Sequence, residues 1–111
     1  MAIKFETNDP NKLLSSFKKA IDDGRIVTWS YDQDGDFTHA VDQWKNLAWL
    51  RPRIEYNELV FIIIKPENRN ISSLVYAIYH GRFIESMLTH CDSIFVNAVA
   101  TAFPAEGDVV S

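Results

Sequence analysis

A chain of 111 residues that is 47% hydrophobic and 13% aromatic has the size of one compact domain and can bury roughly two-thirds of its unfolded surface. Charged residues at 23%, with four glycines and four prolines, exclude fibrous and disordered classes. The net charge of -4, from 15 acids and 11 scattered bases, argues against direct nucleic-acid binding, which needs clustered Lys and Arg, and leaves acidic mimicry of nucleic acid as a minor alternative.

Met1 to Pro10 lacks the apolar core of a signal peptide, and the longest apolar run, Leu59 to Ile64, is too short to cross a bilayer. A cytoplasmic protein without a membrane partner is expected. Cys91 is the only cysteine, so no intrachain disulfide forms and a buried structural thiol is expected. No repeat or linker divides the chain: residues 1–103 read as a single α+β domain and 104–111 as a flexible tail.

In "AIKFET", alternation puts Ile3 and Phe5 on one face of a short strand. Asp9-Pro10 then starts a helix, Asp capping the free amides and Pro losing no needed donor. Leu13, Leu14, Phe17 and Ile21 make its apolar stripe as far as Asp23, with Gly24 as the stop. Asp22 and Asp23 oppose the helix dipole there, and Lys18, Lys19 and Arg25 offset them.

"IVTWSY" and "FTHAV" flank "DQDGD" as the strands of a hairpin. A three-residue loop, Gln33-Asp34-Gly35, pairs Trp29 with His39 and Tyr31 with Phe37, and it gathers Val27, Trp29, Tyr31, Phe37 and Val41 on one face. Asp32 then faces Asp36, a like-charge pair that a cation would relieve. Asp32, Asp34 and Asp36 are thus weak cation candidates, but the spacing fails the calcium-loop pattern, and a solvated turn is the plainer reading.

A turn near Asp42 to Asn46 leads to a strand from about Ala48, which Pro52 marks as an edge or a bulge. "LVFIIIK" reads as a central strand buried on both faces. A second helix follows, capped by Asn70 or Ser72, with Ala77, Ile84, Met87, Leu88 and Cys91 on its apolar arc, Leu74 and Phe83 at the margins, and His80 inside it. Gly81 suggests a close approach there. "SIFVNAVATAF" closes as a strand with Ile94, Val96, Ala98, Ala100 and Ala102 on one face. The order of elements predicts an α+β two-layer sandwich, a mostly antiparallel sheet of five to six strands with two helices on one face.

No nucleophile, phosphate-loop or zinc motif occurs, no cofactor is expected, and a role in binding outranks catalysis. Two histidines are the low-grade catalytic candidates, His39 and His80, for an acid-base or metal-dependent enzyme as the alternative function. A ligand pocket, if built, would lie between the second helix and the first hairpin, with Trp29, Tyr31, His39, Tyr79 and His80 around it. Trp44, Trp49, Arg51 and Arg53 form the candidate interface, Trp and Arg being enriched at interface hot spots. The expected function is that of a small binding or regulatory protein, acting as a homodimer or through a protein partner, with a small ligand as a further possibility.

Overall fold

The computed structural model describes residues 1–111. Its elements are β1 (Ile3–Glu6), α1 (Pro10–Asp22), β2 (Trp29–Tyr31), β3 (Phe37–His39), β4 (Trp49–Glu55), β5 (Glu58–Ile64), α2 (Ser73–Cys91) and β6 (Asn97–Ala100), with one 3-10 turn at Asp92–Ile94. The six strands form one sheet in the order β2-β3-β4-β5-β1-β6, every neighbouring pair antiparallel. Both helices pack on one of its faces, giving the expected two-layer α+β sandwich.

Local chemistry explains the helix boundaries. Asp9 accepts from the Lys12 amide at 3.0 Å and Pro10 is the first helical residue of α1. Ser72, rather than Asn70, caps α2 by accepting from the Val75 amide at 3.2 Å. At the end of α1, Asp23 is held by Lys19 at 3.4 Å and Arg25 at 3.7 Å, while Asp22 accepts from the Tyr31 hydroxyl at 2.6 Å.

The core fills the space between sheet and helices. Leu13, Phe17 and Ala20 of α1 and Tyr79, Phe83, Met87 and Cys91 of α2 meet Phe5, Leu50, Leu59, Phe61 and Ile63 of the sheet. Phe83 is the hub, its ring 4.6 Å from Phe61 and 4.9 Å from both Phe17 and Trp29. The buried stripe of α2 is therefore turned from the expected arc: Tyr79 and Phe83 are at its centre, while Leu74, Ala77 and Leu88 face solvent. Two large aromatic rings dominate the burial of that helix more than the summed apolar direction does. Gly81 is also on the exposed side with nothing near it, so no close approach exists there.

The hairpin has the predicted register, Trp29 with His39 and Tyr31 with Phe37, and Gly35 turns the chain at φ +84°. Val27 and Val41, however, project beyond the strands and are exposed. β3 pairs with β4 only at Phe37–Leu50, so Pro52 lies on a stretch of β4 open on that side, where a residue without an N–H is tolerated. The closing strand is shorter than expected: Asp92–Ile94 winds into the 3-10 turn, and Val96 is exposed.

β5 is buried on both faces. Leu59, Phe61 and Ile63 point to the helices, and Val60 and Ile62 join Ala2 in a second, smaller cluster on the opposite face. Residues 104–111, expected to be a flexible tail, lie across that second cluster. Asp108 accepts from the Ile63 amide at 2.9 Å and the Ala105 amide at 2.6 Å, and Val109 exchanges backbone bonds with Ile63 and Lys65. These bonds are what the expectation of a loose tail leaves out. They continue along β5 the pairing position that β1 vacates beyond Ile3.

Gly107 crosses Ile62 at φ +95°, and an added Cβ would stand 2.9 Å from Ile62 Cδ1. We expect Gly107→Ala to cost about 1 kcal/mol or more through its backbone conformation and to speed hydrogen exchange at the Val109 amide. Unchanged urea unfolding and unchanged exchange would show that this strap contributes nothing.

Candidate functional site

The structure brings three of the five candidate pocket residues together. Trp29 and His39, opposite each other on β2 and β3, stack with ring centroids 4.7 Å apart, and Tyr79 of α2 meets both rings edge-on at 5.5 and 5.9 Å. All three are buried. Trp29 Nε1 and His39 Nε2 have no hydrogen-bond partner, so this cluster is the one place in the core where two ring nitrogens are unsatisfied together.

The Tyr79 hydroxyl is by contrast fully used. It donates to the Trp44 carbonyl, receives the Leu47 amide at 3.3 Å and lies 3.2 Å from Thr38 Oγ1. Thr38 in turn donates to the Ala48 carbonyl at 3.0 Å and accepts from the Asn46 amide at 3.1 Å. One tyrosine and one threonine thus pin the 41–48 loop, with Asn46 in the left-handed region at φ 61°.

Tyr31 and His80 lie elsewhere. The Tyr31 ring packs on Phe37 and under Lys18, its hydroxyl on Asp22, whose carboxylate raises the phenol above its usual range. His80 places Nδ1 2.7 Å from the Tyr76 carbonyl and Nε2 2.8 Å from the Met1 carbonyl, tying α2 to the first residues of the chain. Since His39 and His80 share no partner, the structure does not assemble them into one acid-base pair.

Burial pushes both histidines below their ordinary value of 6.5. For His39 the Thr28 carbonyl and Glu85 pull upward and Arg82 downward; for His80 the two carbonyls and Asp108 pull upward and the Met1 ammonium downward, and burial outweighs them all. Burial also raises the Cys91 thiol, as a structural cysteine requires.

The three turn aspartates do not form a cradle. Asp32 Oδ1 accepts from the amides of Asp34 at 2.9 Å and Asp36 at 3.0 Å, closing the turn on itself. The buried Asp36 carboxylate is met in bidentate fashion by Arg51 at 3.0 and 2.8 Å. Arg51 therefore supplies the relief that the sequence assigned to a cation. No group of three or more His, Cys, Asp and Glu side chains is placed to hold a metal ion.

Of the interface candidates, Trp49, Arg51 and Arg53 stand two residues apart on the open face of β4, whereas Trp44 packs from the loop against the core under the helices. Arg53 is engaged by Glu55 at 2.7 Å and the Glu106 carbonyl at 3.0 Å. No charged residue occurs from Ser93 to Phe103, a stretch that includes the edge strand β6. Val96, Val99 and Phe103 are 74%, 52% and 83% exposed along it.

A cavity of about 320 Å³ opens at the start of that edge. Ile94, Phe95 and the largely exposed Val96 line it together with the polar residues Glu6, Thr7, Asn8, Asn57 and Ser93, with Asn57 in the left-handed region at φ 57°. A cleft of about 380 Å³ lies between α1 and the end of α2 and is lined by Lys12, Lys19, Arg25 and His90, of which Lys19 and Arg25 are engaged by Asp23. Sequence reasoning found neither, because both are assembled from loops and helix ends far apart in the chain. A scan against protein-family models and searches of curated proteins and of solved structures find no match to this chain.

Two outcomes follow from this geometry. Tyr79→Phe leaves the Leu47 amide and the Trp44 carbonyl without that partner, which we expect to cost about 1–3 kcal/mol in urea unfolding and to speed hydrogen exchange over residues 41–47; an unaffected loop would overturn the pinning role. For pH, the sign follows from the lowered values: the unfolded chain takes up protons on His39 and His80 before the folded one does. Stability is full above 6.5 and falls as the pH drops through that value toward the folded ones. His39→Phe should flatten that decline in urea midpoints taken between about pH 7.5 and 5.5.

Proposed function

We propose that the protein works by binding rather than catalysis, as a homodimer joined through the β6 edge. The observation that carries this reading is the edge itself. An edge strand offers unpaired backbone groups to any chain that reaches it, and such strands are commonly guarded by charge, proline, shortness or a covering element. The opposite edge, β2, has three residues and is flanked by Arg25 and Asp32, whereas β6 runs within an uncharged stretch from Ser93 to Phe103 with exposed valines on it. A second copy paired antiparallel would cover those groups and extend the sheet across a two-fold axis.

The open face of the sheet supports the same reading. No helix covers it, and the Trp49, Arg51, Arg53 row runs along it beside the tail. A protein partner adding a strand to β6 is the variant of this proposal in which the occupant differs. No helix is long and apolar enough to cross a membrane.

Sedimentation velocity at increasing concentration provides the test, with Val99→Lys as the probe. A charge placed on this edge should lower self-association by at least tenfold without loss of folding, as expected for a lysine that must meet its own image. A parent chain that stays monomeric at several hundred micromolar would overturn the homodimer.

A further inference from the structure

The mode of closure of that dimer can be read from the numbering of the edge, and the inference rests on the homodimer reading. Phe103 is the one phenylalanine of seven that is exposed, and it stands three residues past β6. Its backbone is fixed: the Thr101 amide donates to the Ala2 carbonyl at 2.9 Å, and the Phe103 carbonyl accepts from the Met1 ammonium. The ring is thus held out in solvent by a chain segment that is itself tied down.

In an antiparallel pair related by a two-fold axis, the numbers of facing residues have a constant sum. With Val99 opposite itself, Phe103 comes opposite Phe95 of the second copy; with Ala98 opposite itself, it comes opposite Ser93. A register centred on either Ala98 or Val99 therefore carries Phe103 to the Ser93–Phe95 segment, which borders the 320 Å³ cavity. We infer that Phe103 of each copy seats in this cavity of the other, so that two identical ring-in-pocket contacts close the dimer.

Shape, charge and area agree with this occupant. Ile94, Phe95 and Val96 in the lining offer apolar contact to a ring, and the polar lining groups Glu6, Asn57 and Ser93 can keep their water around its edge. Antiparallel pairing sends the two Glu6 carboxylates to opposite ends of the joined strands, so the uncharged edges meet without like-charge opposition. A strand pair as short as β6 falls well below the roughly 1,200 Å² of a stable interface, and two buried phenylalanine rings add about 300–500 Å² toward it.

The experiment mixes two variants, each folded by circular dichroism and each followed by sedimentation velocity. Phe103→Asp removes the ring and keeps the cavity; Ser93→Trp, at an exposed position, fills the cavity and keeps the ring. Each alone should weaken self-association by about 30-fold or more, the size of an interface hot spot. Their mixture, which regains one ring-in-pocket contact per dimer, should form heterodimers at concentrations where neither variant dimerises by itself. A Phe103→Asp chain that dimerises as tightly as the parent, or a mixture that stays monomeric, would overturn the seat of Phe103. If the parent dimer is lost on Val99→Lys but kept on Phe103→Asp, the edge pairing stands and only this inference fails.

Discussion

Burying a strand on both faces requires cover on both sides, and that requirement organises this fold. β5 runs through the middle of the sheet with Leu59, Phe61 and Ile63 on one face and Val60 and Ile62 on the other. Two amphipathic helices satisfy the first face. The second has no helix, and only the carboxy-terminal segment crosses it, with Asp108 satisfying the Ile63 and Ala105 amides and Gly107 allowing close contact with Ile62. Turning the backbone of residues 104–111 into a strap is thus the counterpart of six consecutive apolar residues in β5.

What was legible in the sequence was whatever local physics decides. The period of two in "AIKFET", the Asp9-Pro10 start of α1 and the hairpin register around Gly35 depend on neighbours in the chain, and each stands in the structure as read. Features set by distant partners were harder to see. The buried stripe of α2 is decided by where Tyr79 and Phe83 find Trp29, Phe17 and Phe61, so an average over its apolar residues points in the wrong direction. The tail carried one overlooked signal, "GDVV", a flexible residue, an acceptor and two strand-forming residues in succession.

The candidate site divides along the same line. Trp29 and His39 meet because the hairpin register makes them meet, and Tyr79 joins them because α2 packs on that hairpin. His80 is one residue further along the helix and about 100° around it, which sends it to Met1 rather than to His39. Asp36 was legible as an electrostatic problem, but its solution, Arg51, lies on a different strand and could be named only once β3 was placed beside β4. The cavity beside β6 needed three separate segments in place before it existed at all.

The position of β1 has a consequence for how the chain reaches this state. Its neighbours in the sheet are β5 and β6, so Phe5 pairs with Leu59 on one side and Ala98 on the other. The hairpins β2-β3 and β4-β5 can zip from contacts close in sequence, but the last pairing closes a loop of most of the chain and gains its bonds only after that entropy is spent. During synthesis the first strand therefore waits for the last. Until Asn97–Ala100 emerges, β1 is itself an edge, and the half-built sheet has to be kept from pairing with another chain for that interval.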